Sequence, residues 1–330
     1  MALGVARPAL QVAVLGAINW DTTVFERDFA SPGEEVPVQR VEEFPGGKGA
    51  NTAVAAARIL GGSAVAFLGA LGADQVKGPL LESLAVEGVR TDAVQVVRGS
   101  ASGRAYVVVD GSGRKAIHTH FGANDAYSAA HVRSAASSSM ISAAPVVVIM
   151  DVPLPAAAAA AEAASRRSRI IYSPGVRGTG PGERLSEILS LTDDLVVDRS
   201  ELSKLSGRSD PGDCVESLIR RYEGVTVVAT LGPEGCLVGR ADEVTKVPPV
   251  DLADLGLEAV NSTGSGDAFL AAYACYSLFG LSPEEAARWG NLAGALKAAS
   301  ADTRGSPTRD ELEGKMRLLR GLRARRPDSP

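Results

Sequence analysis

Aromatic residues make up only 5% of this 330-residue chain, and its three cysteines, Cys214, Cys236 and Cys275, form no CxxC pair. So sparse a set builds neither a disulfide framework nor a zinc cluster and fits a reducing compartment. Positive charge is also short: 34 Lys and Arg stand against 39 Asp and Glu, for a formal net charge of −5. An acidic chain lacks the surface needed to displace counterions from a nucleic acid, so no nucleic-acid partner is expected and any anionic ligand needs a local site. Long apolar runs are missing as well, and the first residues, MALGVARPALQVAVLGAINWD, hold no secretory pattern before Asp21. The expectation is a cytoplasmic protein with no membrane partner.

What is present is ordinary for a globular enzyme: 45% hydrophobic and 22% charged residues, on a chain long enough to bury a large core. Short β-branched runs recur at 12–15, 64–68, 146–149, 169–172, 194–197 and 225–228. Ala-rich stretches of helical length lie between most of them, as at 50–60, 155–167 and 211–222. Continuous apolar strands alternating with helices predict an α/β fold, with a mostly parallel central sheet between two helical layers. Two regions break the rhythm, about 22–44 and 103–119, where alternating segments flank the turn Asp110-Gly-Ser-Gly. They read as antiparallel strands of a small β-sheet lid, leaving 10–21, 45–102 and 120–320 as the main body and 321–330 as a basic tail.

Two glycine-rich segments carry the chemistry. In Asn261-Ser-Thr-Gly-Ser-Gly-Asp267 the small residues Gly264, Ser265 and Gly266 lead into an apolar helix, where backbone amides and the helix dipole make an anion hole. A carboxylate at its edge, Asp267, is placed to accept a proton from an attacking hydroxyl. The second segment, Pro45-Gly46-Gly47-Lys48-Gly49-Ala50-Asn51, lacks the spacing of a Walker A loop. Its Gly-Gly turn gives close backbone approach, and its Lys and Asn donors suit a hydroxyl-bearing ligand. Taken singly, each segment equally describes a glycine turn capping a helix; the pairing is what points to a site.

Both segments resemble the signatures of the ribokinase-like (PfkB) sugar kinases, in the family's order and separation. Similar likenesses are Gly16-Ala-Ile-Asn19-Trp-Asp21 on the first strand, Ser31-Pro-Gly-Glu34, Phe121-Gly-Ala-Asn124 and Thr230-Leu-Gly-Pro-Glu-Gly235, together spanning roughly residues 10 to 310. The resemblance implies the ribokinase-like fold and a kinase using ATP and Mg2+, with Asp267 as general base. It implies sugar-binding roles for Asn19, Asp21, Gly46, Gly47, Lys48, Asn51 and Asp151. Around the nucleotide it implies Asp198, Thr230, Gly232, Gly235 and Asn291, with Glu201 reaching magnesium through water.

Three positions depart from the family pattern. Asn261 stands where a carboxylate helps bind a monovalent cation, which weakens the expectation of potassium activation; Asp198 replaces an amide; and Arg104 opens the second lid region. Arg90, Arg104 and Arg177 are candidate clamps for a phosphorylated sugar, yet each reads more readily as an exposed surface arginine. The expected substrate is therefore ribose, a related polyol or a nucleoside, with a 6-phosphofructokinase-type activity as the rival and a catalytically silent binding regulator as the reading from another class. A homodimer joined through the lid is expected, since the lid strands otherwise expose apolar faces and sheet edges.

Overall fold

The computed structural model describes residues 9–164, 168–179 and 183–325. Six strands run parallel: β1 (Val12–Leu15), β4 (Val65–Leu68), β9 (Val146–Met150), β10 (Arg169–Ser173), β11 (Asp194–Asp198) and β12 (Thr226–Thr230). Two antiparallel strands, β13 (Cys236–Arg240) and β14 (Glu243–Val247), extend one edge to give the order β14-β13-β12-β11-β10-β9-β1-β4. This antiparallel edge was not anticipated: the Gly232–Gly235 segment, read as a loop after a strand, is the tight turn that reverses the chain from β12 into β13. The remaining short strands, β5 (Ala70–Gly72) and β6 (Gln95–Val97), pair with each other.

Both sheet faces are covered, which explains the unbroken apolar strands. Val12 and Val14 point into one core with the helices Lys48–Leu60, Ser265–Leu278 and Pro283–Ala298; Ala13 and Leu15 point into the other, with Leu154–Ala163 and Pro211–Arg221. The Ala-rich composition has a packing cause. A Cβ on Gly16 would lie 2.5 Å from the Cα of Gly49, so only paired glycines let the helix Lys48–Leu60 start against the end of β1. Of the helix expected at 155–167, residues 165–167 lie outside the described residues. The basic tail continues the helix Arg309–Arg325, and residues 326–330 are likewise outside. Among the described residues no helix is long and apolar enough to cross a membrane.

A second sheet, ordered β3-β2-β7-β8, stands over the carboxyl ends of the main strands; it comprises β2 (Asn19–Phe25), β3 (Arg40–Gly46), β7 (Gly103–Val109) and β8 (Lys115–His120). β2–β3 and β7–β8 are antiparallel, while β2 and β7, from the two separate regions, join in parallel. Strand alternation turns Asn19, Asp21, Ala105, Val107 and Lys115 toward the cleft beneath. β2 starts at Asn19 and β3 ends at Gly46, so this sheet carries residues that the sequence assigned to the main body.

One buried polar lock holds the frame that presents the cleft. The wholly buried Asp194 receives two hydrogen bonds from Arg169, at 2.5 and 2.7 Å, and one from the Tyr273 hydroxyl at 2.8 Å, joining β10, β11 and the helix Ser265–Leu278. Replacing Asp194 with Ala leaves a guanidinium and a buried phenol without their acceptor. We expect a loss of about 3 kcal/mol in a urea titration; an unchanged midpoint would show that the lock does not hold the frame.

Candidate functional site

The carboxyl ends of β1, β9, β11 and β12 face the small sheet across a cleft, the usual ligand position in an open α/β sheet. It contains two cavities, of about 770 and 790 Å³, that meet at Thr230, Ser262 and Gly266. The first gathers Asn19, Asp21, Lys48, Asn51, Asp151 and Asp267; the second takes in Thr230, Gly232, Gly235, Ser265 and Asn291. Segments separated by more than 200 residues thus converge on one turn.

In the first cavity the local backbone is built around two side chains. Gly46 exists because Asp21 lies on it: a Cβ there would sit 2.0 Å from Asp21 Oδ2. Gly47 has φ +90 and would press a side chain into the backbone of Ile18, so it too must be glycine. Asn19 is held by Asn124, whose Nδ2 donates to Asn19 Oδ1 at 3.0 Å and whose Oδ1 accepts from the Ile18 amide at 3.0 Å. A side chain at Gly103 would strike both of these amides. Asp21 is different: its Oδ1 is buried with no hydrogen-bond partner, and burial pushes its carboxyl up to about 7, with Arg304 opposing and Asp267 adding to the rise. An unsatisfied buried acceptor is what a ligand hydroxyl would complete.

Asp267 sits in the first turn of the helix Ser265–Leu278 and receives a 2.9 Å hydrogen bond from Asn51 Nδ2. Asn51 is fixed in turn by Arg304, whose Nε donates to Asn51 Oδ1 at 3.0 Å, while its other nitrogens reach Ser83 Oγ at 2.8 Å and the Gly46 carbonyl at 3.2 Å. Burial raises the Asp267 carboxyl above the usual range, and the Asn51 hydrogen bond and Lys48 charge pull it back. The same burial holds the Arg304 guanidinium down to about 10. Arg304 was missed by sequence reasoning. It lies in an irregular loop with no motif, and its importance comes entirely from distant segments.

Lys48 stands 3.7 Å from Glu201 Oε1, and although burial works against its charge, Glu201 and then Asp151 hold its ammonium above the ordinary value. Glu201 also accepts from the Asp198 amide while Asp198 accepts from the Glu201 amide, a reciprocal capping box at the start of the helix Arg199–Ser206. Both carboxylates nonetheless line the first cavity. Among the described residues no cluster of three or more His, Cys, Asp or Glu side chains could hold a metal by itself.

Asp151, at the end of β9, adopts φ +45, and a Cβ on Gly175 would fall 2.5 Å from its carboxylate. Arg177 closes this side, donating to the Asp151 carbonyl, lying 3.5 Å from Asp151 Oδ1 and 3.1 Å from Asp125, and stacking on Phe121. That engagement argues against Arg177 as a phosphate clamp. Arg104 sits on the opposite face of β7 from the cleft-lining Ala105 and Val107, and Arg90 donates to the Ser63 carbonyl at 2.6 Å.

The turn expected to form an anion hole differs from that expectation at one atom. Gly264 caps the helix at φ +84, where a side chain would meet the Thr303 carbonyl, but the Ser265 amide donates to Ser262 O at 3.1 Å. The donors left to face an anion are therefore the amides of Gly266 and Asp267 in the first helical turn, with Gly264 beside them. Ser265 instead leaves its hydroxyl buried without a partner, on the side of the second cavity. There Thr230 Oγ1 donates to Val197 O at 3.3 Å, and Gly235, at φ +88, approaches the Val247 carbonyl too closely for any side chain. Asn291 donates to Pro248 O at 2.9 Å.

Comparison with known proteins gives the family. The family model for the pfkB family carbohydrate kinases matches residues 9–309. The ribokinase of Haemophilus influenzae is 30% identical over 308 residues, covering 91% of this chain and 96% of that protein, and the mouse ribokinase is 29% identical over 308 residues, covering 90% and 92%. Among solved structures, Arabidopsis thaliana ribokinase complexed with ribose and ATP superposes with a TM-score of 0.82 at 25% identity, covering 94% of this chain and 99% of that one. With two adjoining cavities on a ribokinase-like α/β frame and a family match running almost from end to end, this chain belongs to the pfkB family of carbohydrate kinases.

Proposed function

We propose that the protein transfers the terminal phosphoryl group of ATP to a primary hydroxyl of an unphosphorylated sugar, with ribose the favoured substrate and a nucleoside or related polyol of the same class next to it. The observation that carries this reading is the pairing, in one cavity, of Asp21 with an unsatisfied buried oxygen and Asp267 held by Asn51, directly against the turn that begins the second cavity. Relatives named as ribokinases support it.

In this mechanism Asn19, Asp21 and Asp151 take the sugar hydroxyls and orient one of them toward Asp267. Asp267 accepts that hydroxyl's proton as the oxygen attacks in line, its basicity increased by burial. The amides of Gly266 and Asp267, with Gly264, meet the charge that develops on the phosphoryl oxygens. Thr230, Gly232, Gly235 and Asn291 form the nucleotide side. Glu201 would hold magnesium through water, and the ion would supply charge neutralisation to the nucleotide's phosphates. The small sheet acts as a lid that keeps water from competing with the sugar. Val41 and Tyr106 are 52% and 44% exposed on that sheet, apolar surface that a second copy of the chain would cover in a homodimer.

A phosphosugar is the weaker reading. The cavity walls carry the carboxylates Asp21, Asp151, Asp198 and Glu201, while the arginines offered as clamps are engaged elsewhere or turned away. A coupled ATP-consumption assay over ribose, nucleosides, myo-inositol and fructose 6-phosphate is expected to favour ribose; a clear preference for fructose 6-phosphate would overturn the assignment. Asp267→Asn should lower turnover by about 1000-fold while calorimetric ribose affinity stays near the parent value; retention of most activity would remove Asp267 from its role.

Asp21 gives a pH test. Its carboxyl is raised from 3.8 to about 7 in the folded protein, so the folded state holds this proton more tightly than the unfolded chain. Its contribution to stability is then fully present below pH about 4 and is lost as pH rises through about 7. Asp21→Asn abolishes that loss. The thermal midpoint of the variant relative to the parent should climb between pH about 4 and about 7 while ribose affinity falls; a gap that does not change with pH would count against the buried proton.

A further inference from the structure

Lys297 ends the helix Pro283–Ala298 and is wholly buried, an unusual position for a primary ammonium. Its Nζ donates to the backbone carbonyls of Asn261 at 2.9 Å and Ser300 at 3.4 Å. These carbonyls belong to two adjoining loops stitched together beside it: the amides of Val260 and Asn261 both donate to Ala298 O, at 2.7 and 2.9 Å, and Asn261 Nδ2 donates to Ala301 O at 3.0 Å. Directly above lies Gly264, the cap of the anion-binding helix, where a Cβ would sit 3.5 Å from Lys297 Cε. Burial holds the ammonium down to about 8, with the carboxylates of Asp302 and Asp267 working to raise it and Lys115 to lower it.

Backbone carbonyls converging on a desolvated positive charge are the ligands that a potassium-sized ion takes in place of its hydration shell. Here the charge is covalently attached. The neighbouring side chain agrees: Asn261 is a neutral amide whose Oδ1 accepts from the Thr263 amide at 3.0 Å and from Lys115 Nζ at 3.3 Å, so it brings no carboxylate to attract a diffusible cation. We propose that Lys297 is a tethered monovalent cation that fixes the 261–264 turn and supplies positive charge beneath the phosphate site, so that turnover needs no free potassium. Lys297 is thereby a positioning residue, acting through the turn on the amides that face the anion. The proposal rests on the kinase reading for its effect on turnover, but not for its effect on the unliganded fold.

The test compares potassium, ammonium and lithium with tetramethylammonium as the sole monovalent cation, at a constant ionic strength of about 0.1 M. In the full chain, turnover and the thermal midpoint without ligand are expected to be the same in all four. Lys297→Met should lose about 100-fold in turnover in tetramethylammonium, recover most of it with potassium or ammonium but not lithium, and show a midpoint that rises with potassium. Strong potassium activation of the parent chain overturns the proposal, as does a Lys297→Met protein that keeps parental turnover and a cation-independent midpoint. Should Lys297→Met fail to fold even in potassium, the cation response of the parent decides. A parent inert toward every sugar defeats the kinase reading instead, and the midpoints still judge the lysine.

Discussion

The structure depends on keeping two carboxylates, Asp21 and Asp267, out of water in the same small space. Both are disfavoured there by desolvation, Asp21 also by the charge of Asp267 and Asp267 by that of Asp151, and Arg304 is a buried cation that opposes the rise in both. Its hydrogen bonds to Asn51 and to the Gly46 carbonyl bind the start of one helix and the end of β3 to a loop near the chain's end. Arg304 is itself fastened, since Arg58 donates to its carbonyl at 2.5 Å and pairs with Glu87. Removing any member strands a charge or a polar group in the interior, so the site and the fold around it are held by the same bonds.

Much of this was legible in the sequence, for reasons that can be named. Strands such as Val146–Met150 are buried on both faces, and continuous apolar runs between Ala-rich helices record that directly. The glycines before Asp267 and after Pro45 are local signals, because backbone geometry within a few residues demands them. The antiparallel edge of β13 and β14 was not legible: β14 is mostly half-buried or exposed and carries no continuous apolar run, and Gly232-Pro-Glu-Gly235 reads as a loop of any kind until its partners are known. Arg304 and Lys297 were invisible for a stronger reason. A buried cation is explained only by the acceptors around it, and for Arg304 all of those, for Lys297 the nearer of its two, come from segments that sequence proximity does not connect.

The same limit explains the arginines. Arg177 looks like a free cation near a ligand pocket, but two carboxylates and the ring of Phe121 already claim it. Arg104 is turned away by the alternation of β7. Residue type and position along the chain identified cations near the cleft; only the fold shows which charges it has left uncommitted.

The small sheet is not merely a cover, because β2 bears Asn19 and Asp21 on its inner face while Asp267 belongs to the helical layer below. On the proposed function, the groups that would grip the sugar ride on the element that would shut out solvent, and the group that would deprotonate it does not. Occupancy by an alcohol and closure of the roof would then be one thermodynamic event, so on that reading a sugar missing the hydroxyl placed at Asp21 would bind weakly and also leave the roof ajar. On the same reading a nucleotide arriving alone would meet a base with no aligned acceptor, a geometric safeguard against futile hydrolysis.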